Sequence, residues 1–491
     1  MATTTQLELS GQLPAKDTSD GEAFNRWYIT AIRRSELADY FEAVGGTMVI
    51  RPYGFSLWEL MQSALDSRFK ATGHKNAYFP LFVPESFLKR EAKHVEGFAP
   101  EVAWVTHAGG AELEERLALR PTSETLFGHF YSKWIQSWRD LPMLLNQWCN
   151  IVRWEKRTVF FLRTTEFLWQ EGHTAHRTSE EAHEETLRML DVYADFAENE
   201  LALPVVRGEK SAAERFAGAD STYSIEALMP DGKALQSGTS HFLGQNFARA
   251  FDIDFLDTDG ERKLVWTTSW GMSTRILGGM VMMHGDDAGL ILPPRVAPIQ
   301  VILVPIPTRD ETEEARVSGV VSGLIKQLTT KGIRAEADTS DKRPGWKFNE
   351  WELKGVPLRV EVGPRDLQTD QVTLVRRDNR AKEKVSVEGA VERIGDLLAE
   401  VQASLFLRAR EFREANTHDA DSYAQFKEIM STQRGFIRVY WCGSADCEQR
   451  IKEETRATIR VMLEESADDR PGQCIYDGRP AHRRALFAQS Y

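Results

Sequence analysis

Between residues 147 and 171 the chain reads QWCNIVRWEKRTVFFLRTTEFLWQE: an apolar run, a short basic turn and a second apolar run. Two such runs around a tight polar break predict a β-hairpin. Arg153 and Glu155 stand two apart where the first run ends, and Phe167 lies on the second. A guanidinium, a carboxylate and an aromatic face on one hairpin suit a phosphate, a polar edge and a purine ring. Residues 54–82 read as a long helix followed by a strand ending near Pro84, and 264–268 as a strand. Three prolines within 292–298, LPPRVAP, mark a boundary. After it the pattern predicts strands at 300–306, 333–337, 358–362 and 371–375, with helices at 311–330, 347–354 and 388–410. That alternation implies a sheet covered by helices. A weaker boundary falls near 416–421, ahead of a segment holding three of the four cysteines.

Composition narrows the class. At 491 residues the chain is too long for one core, so roughly two to four domains are expected. The 42% hydrophobic and 27% charged fractions suit a soluble enzyme, and no apolar run approaches the ~18 residues a membrane span needs. The first twenty residues are polar, without the features of a secretory or transit signal, and are expected to form a flexible leader. A net charge of −12 argues against broad nonspecific nucleic-acid binding. Basic runs at Arg376, Arg377, Arg380, Lys382 and Lys384, and at Arg479, Arg483 and Arg484, read as solvated faces or local RNA contacts. Four cysteines imply no disulfide framework and fit a reducing, cytoplasmic setting.

Several segments carry candidate chemistry. Arg153 can bridge a carboxylate and an α-phosphate while charge builds on the phosphoryl group, which a lysine lacking the planar fork could not do. In LRPTSETLFGHF, 119–130, Thr122 or Ser123 can be a plain helix N-cap. EGHTAH, 171–176, with His183 nearby, matches no helical zinc spacing. Thr178 and Glu181 form a capping box, which places His183 on an exposed helix face. Gly238, in the Gly- and Ser-rich stretch 232–247, would let the backbone approach a ligand closely. In 266–290 a strand, a Gly-containing turn and Arg275 opening a helix make a γ-phosphate clamp.

In combination these segments, from about Arg51 to Tyr491, resemble the prolyl branch of the class II aminoacyl-tRNA synthetases, of the archaeal and eukaryotic-like type. The hairpin is similar to motif 2, RPTSE to the prolyl amino-acid site, and 266–290 to motif 3. The resemblance implies a multidomain α/β and α+β chain. Its parts would be a leader (1–20), a catalytic domain on an antiparallel sheet (21–294), an α/β anticodon-binding domain (295–410) and a small α+β, zinc-type C-terminal domain (411–491). Proline would be bound by Thr122, Glu124, Arg153, Trp169, Glu171, His173 and His241. ATP, with Mg²⁺, would be bound by Arg153, Glu155, Arg163, Thr164, Phe167, Gln236, Thr239, Ser273 and Arg275, with Arg153 and Arg275 catalytic. A motif 1 unit at 54–82 implies a homodimer, and the partner RNA would be tRNA(Pro), read through groups in 346–366. The branch also tucks its terminal tyrosine, here Tyr491, toward the catalytic domain.

The chain departs from the pattern at two places. Thr274, not an acid, precedes Arg275. Asp477 stands where zinc-bearing members carry a fourth cysteine beside Cys442, Cys447 and Cys474, leaving either an unusual Cys₃Asp zinc site or an empty vestige. A threonyl enzyme would need a zinc-ligating cysteine in its amino-acid pocket, and RPTSE supplies none. A noncatalytic tRNA-binding relative would not need the clamp of Arg153, Glu124 and Arg275. Only a short stretch separates Glu171 from Gln236, so no inserted editing domain is expected.

Overall fold

The structure, a computed structural model, describes residues 13–94, 101–155, 157–464 and 472–491. Residues 1–12 of the expected leader, and Lys156 in the hairpin turn, lie outside the described residues. The rest of that leader is fastened, which corrects the expectation of a free segment through residue 20. Leu13 packs against the main core. Lys16 Nζ donates to the Met282 and Gly285 carbonyls at 2.7 and 2.6 Å and lies 4.7 Å from the Trp27 ring.

The hairpin is built as the pattern required. Met143–Val152 and Glu166–His176 pair antiparallel along their whole length. They belong to an 11-stranded sheet whose catalytic part continues through Trp266–Ser273, Ala234–Gly244, Ser221–Leu228 and Val205–Glu209. One face is covered by Ser179–Asn199, whose N-terminus carries the expected Thr178–Glu181 capping box and whose outer face leaves His183 exposed. Met189, Leu190, Tyr193, Phe196 and Ala197 recur at helical spacing and are buried in the main core.

Side chains alternate along these strands, so the other face receives the chemistry. Gln170 accepts from the Tyr193 hydroxyl beneath the helix at 2.7 Å, while Trp169, Glu171 and His173 turn to the opposite side and line a cavity. On Ala234–Gly244, Ser240 donates to the Thr186 carbonyl under the helix at 2.7 Å, while Thr239 and His241 face the cavity. The register slips between Ile225 and Glu226, which pair with Gly238 and Gln236, leaving Ser237 as an extra residue. That bulge brings Gln236 to the same side as Thr239 and His241.

The second domain packs helices on a five-stranded sheet. Ala335–Ala337, Val301–Pro305 and Leu358–Val362 are parallel, and Gln371–Arg376 and Lys382–Ser386 add antiparallel. The helix Glu311–Thr330 and the strand Leu358–Val362 fall where the periodicity put them, whereas Lys382–Ser386 was not read from it. This domain is tied to the catalytic one by Arg377, which is buried and donates from Nη1 to Asp286 at 2.9 Å. The neighbouring basic residues are mostly engaged at home: Arg376 with Asp378 and Glu400, Lys382 with Glu361, Lys384 with Asp366.

A single helix, Ala390–Ala415, carries the chain to the third domain. Its strands Thr417–Asp419, Phe436–Trp441, Arg483–Ala488 and Thr458–Met462 do not form a separate sheet. They extend the catalytic one, joined where Met462 pairs with Glu209. The terminal residue returns to the catalytic domain: Tyr491 N donates to the Ala234 carbonyl at 3.2 Å, and Lys233 Nζ lies 4.9 Å from its ring.

Candidate active site

The cavity on the open sheet face holds about 240 Å³. All seven residues expected to bind the amino acid line it: Thr122, Glu124, Arg153, Trp169, Glu171, His173 and His241. Its floor is acidic and tightly bonded. Ser123 occupies the N-cap position of Glu124–Trp134 without capping it. Its backbone N–H donates to Glu171 Oε2 at 3.1 Å and its hydroxyl to Glu171 Oε1, which excludes the plain N-cap reading. Gln147 Nε2 reaches Glu171 Oε1 at 2.9 Å and His173 Nε2 stands 3.2 Å from Oε2. Burial would raise the Glu171 carboxyl, but His173, Ser123 and Gln147 outweigh it and hold it below the ordinary range. Thr122 donates its hydroxyl to Glu124, also buried.

Two aromatic rings, those of Trp169 and Phe216, form part of the walls. His241 is stacked near Phe216, with ring centroids 4.6 Å apart, and its Nδ1 meets Thr222 Oγ1 at 3.0 Å. Burial, with the charges of His173 and Lys210 against it, pushes the His241 pKa down to about 3, so the ring is neutral at physiological pH. Ser269 Oγ is buried, lines the cavity and has no hydrogen-bond partner among the described residues.

Arg153 stands at the mouth. Its Nε donates to the Pro121 carbonyl at 3.1 Å, and its guanidinium lies 5.8 and 5.5 Å from the Phe167 and Trp169 rings. The open cleft leaves it accessible, while the cleft walls desolvate it and lower its pKa against the pull of Glu124, Glu171 and Glu155. Beyond it lies Arg275, opening the helix Arg275–His284, with Nε on the Leu162 carbonyl at 2.9 Å and its backbone N–H on Ser273 Oγ at 3.2 Å. Burial depresses the Arg275 pKa, and the charges of Arg153 and Arg163 depress it further. Among the described residues neither Arg153 nor Arg275 has a carboxylate within ion-pairing distance, whereas Arg163 is paired with Glu155 at 2.7 Å. Mutually repelling guanidiniums without counter-charges suit a polyphosphate.

Of the residues expected on the nucleotide, Arg153, Gln236 and Thr239 line the amino-acid cavity as well. Glu155, Arg163 and Phe167 on the hairpin, Ser273 at the end of the strand Trp266–Ser273 and Arg275 at the start of the helix Arg275–His284 are not among the residues lining it. Thr164 is buried with its hydroxyl on the Glu166 carbonyl at 2.8 Å, so only its backbone can face a ligand. The reading of Gly238 is corrected: a Cβ there would meet Tyr193, Met272 and Ile225 at 3.2–3.4 Å, so the glycine serves packing under the helix, not a ligand. Lys210, Glu214, Phe216, Thr222, Ser269, Trp270 and Gly271 also line the cavity and escaped the sequence reading. Trp270 turns its ring away from the cavity, onto Phe69 and Tyr193 in the main core, where a Cβ on Gly172 would strike it. Lys210 gives no signal in the sequence, because a lysine in a charged loop reads as solvated.

At the far end of the chain, donor atoms of Cys442, Cys447, Cys474 and Asp477 lie within 4.8 Å of one another. The Cys442 and Cys447 sulfurs are 3.7 Å apart, and Asp477 Oδ2 is 3.0 Å from Cys447. Arg479 Nη2 lies 3.3 and 3.6 Å from the same two sulfurs.

Comparison with known proteins agrees with this layout. Residues 104–284 match the family model of the tRNA synthetase class II core domain (G, H, P, S and T). Residues 300–397 match the anticodon binding domain, and 423–491 the prolyl-tRNA synthetase C-terminal domain. Proteins named proline--tRNA ligase from Natranaerobius thermophilus and Chloroflexus aurantiacus are 53% and 55% identical, over 96% and 95% of this chain and 98% of each relative. A crystal structure of prolyl-tRNA synthetase from Cryptosporidium parvum, complexed with halofuginone and AMPPNP, superposes with a TM-score of 0.91 at 40% identity. It covers 98% of this chain and 99% of that one.

Proposed function

The chain belongs to the prolyl-tRNA synthetases of class II, and we propose that it works in two steps through a prolyl-adenylate, without editing in cis. It is a proline--tRNA ligase: it charges tRNA with proline at the expense of ATP. One observation carries the assignment of roles. Arg153 stands between an acid-floored cavity and Arg275, which among the described residues has no carboxylate within ion-pairing distance, so one side chain can reach both ligands.

In the first step the cavity takes proline as a zwitterion. Thr122 and Glu124 accept the two N–H donors of the secondary ammonium, and Trp169 and Phe216 cover the ring. A neutral His241 adds no further positive charge to a pocket that Arg153 and Lys210 already line. Arg153 holds the carboxylate and the α-phosphate together. A carboxylate oxygen attacks that phosphorus, the bond to the bridging oxygen breaks, and pyrophosphate leaves. Arg275 and Arg163 face the outer phosphates, Phe167 the adenine, and Glu155, Gln236, Thr239 and Ser273 the remaining polar edges. Mg²⁺ arriving with ATP would supply further neutralisation of the phosphates. In the second step a terminal ribose hydroxyl of tRNA(Pro) attacks the prolyl carbonyl, and AMP leaves.

The division at 21–294, 295–410 and 411–491 is supported by the three family matches and by the long helix crossing the last boundary. Between Glu171 and Gln236 the chain holds only the end of one strand, the helix Ser179–Asn199 and two more strands, which supports the archaeal and eukaryotic-like type lacking an editing insertion. A lost methylene changes pocket binding by only ~1–3 kcal/mol, so alanine is activated at some level and its misacylated tRNA is not hydrolysed here. Exposed apolar residues on and beside the motif 1 unit, Phe41, Val49, Phe55, Tyr78 and Phe82, support a homodimer through that face. The 3.7 Å sulfur separation is close to the ~3.8 Å that tetrahedral Zn–S bonds impose, so Cys442, Cys447, Cys474 and Asp477 would hold a structural zinc. Among the described residues no helix is long and apolar enough to cross a membrane.

Proline-dependent exchange of pyrophosphate into ATP tests the whole reading. Exchange driven by threonine, or none at all, overturns it.

A further inference from the structure

One wall of the proline cavity is largely a loop: Lys210, Glu214 and Phe216 lie between the end of Val205–Glu209 and the start of Ser221–Leu228, and Thr222 is the second residue of the latter strand. Part of its anchoring is local. Lys210 N donates to the Thr222 carbonyl at 2.7 Å, and Phe216 N to Thr222 Oγ1 at 3.0 Å. The rest comes from the third domain. Lys210 Nζ donates to Glu226 Oε1 at 2.8 Å, and Arg460, on the strand Thr458–Met462, grips both oxygens of the same carboxylate at 3.1 and 3.2 Å. Ser224 Oγ adds a bond to Glu226 at 3.0 Å, and Thr458 Oγ1 accepts from Arg460 Nη1 at 2.8 Å. Lys210, Glu226 and Arg460 are all buried. Two further contacts run the same way: Ser211 Oγ to Glu448 Oε1 at 2.6 Å, and Lys452 Nζ to Glu214 at 3.4 Å.

A buried carboxylate shared by two cations fixes all three side chains, because moving any one leaves the others desolvated and unpaired. Burial alone would raise the Glu226 carboxyl; Arg460 and Lys210 together hold it below the ordinary range. Lys210 is the member that also lines the cavity, and its backbone sets where the loop carrying Phe216 begins. Phe216 in turn stacks on His241. The C-terminal domain thus reaches the amino-acid pocket through an ordered chain of contacts.

We infer that Arg460 is a positioning residue for proline, acting through Glu226 and Lys210 to set the loop wall of the pocket, so that amino-acid selection depends on the third domain. The inference rests on the proposed proline site. It separates from a plain structural role by which constant moves: a misplaced wall weakens proline binding and leaves the nucleotide side alone, whereas a damaged fold lowers the fraction of active enzyme.

The test uses the full chain, with active sites titrated, in proline-dependent pyrophosphate exchange. Arg460→Met is expected to raise the proline KM about tenfold, while the ATP KM and kcat per active site stay within about twofold. The rate with alanine relative to proline rises. Arg460→Lys keeps the charge but not the two-pronged grip, and raises the proline KM a few-fold. A wild-type proline KM in either folded variant overturns the inference, as does a parallel rise in the proline and ATP constants. If Arg460→Met does not fold, Arg460→Lys decides by the same criteria. Wild-type enzyme without proline-dependent exchange sinks the site assignment itself; wild-type exchange with indifferent variants sinks only the role of Arg460.

Discussion

The two halves of the active site are built on opposite terms. On the proline side almost every polar group has a protein partner: Glu171 with Ser123, Gln147 and His173, Glu124 with Thr122, His241 with Thr222. On the nucleotide side Arg275 bonds only backbone and serine atoms, and the guanidiniums of Arg153 and Arg163 act on it more strongly than the carboxylates of Glu226 and Glu155. A small amino acid offers few atoms for binding, so its pocket must be set beforehand. A polyphosphate brings enough charge to order unpaired arginines itself. The difference teaches which mutations should be selective, and Arg153, on the border, should be selective for neither.

Arg153→Ala should therefore do the greatest damage, lowering proline-dependent exchange at least ~10²-fold through both substrates. A loss confined to one KM would break the picture of a shared residue. Glu124→Gln should raise the proline KM by roughly ten- to a hundredfold, as for loss of a charged hydrogen bond, with the ATP KM unchanged. An equal rise in both constants would show the halves are not separable.

Acid should destabilise the fold through three buried histidines, of which His241 lines the proline cavity. His241 and His284 are held neutral with folded pKa values of about 3, and His176 of about 4. Unfolded histidine titrates near ~6.5, so between there and the folded values the unfolded chain binds more protons, and stability falls as pH falls. Thermal melting should be flat in this respect above pH ~7 and drop by several degrees on going to pH ~5; replacing His284, which meets the Leu201 carbonyl, by Gln should flatten the acid limb. The smallest effect belongs to Arg163→Ala. That exposed pair with Glu155 should change stability by under ~1 kcal/mol and the ATP KM only a few-fold. A loss comparable with that at Arg153 would mean the exposed arginine carries the phosphate.

The proposed proline site was legible through the resemblance of its motifs, and strand periodicity agrees with it: Trp169, Glu171 and His173 sit two apart and share a face. The nucleotide residues were legible as chemistry and less so as geometry. Thr164 turns its hydroxyl to the backbone, and Gln236 reaches the cavity only through the bulge at Ser237. Gly238 was misread because an absent side chain does not say which face it has vacated.

From residue order alone came the hairpin, the helix caps and the alternation of the second domain, since each depends on spacing within one element, while the charged and aromatic groups proposed to meet ligand came from the resemblance of their motifs to the family. Only tertiary structure decided that the leader from Leu13 is fastened, that the third domain continues the catalytic sheet, and that Lys210 and Arg460 share Glu226. These join residues far apart in the chain, Lys16 with Gly285 across 269 positions among them. No local pattern tells a lysine that will be desolvated from one that will remain in water.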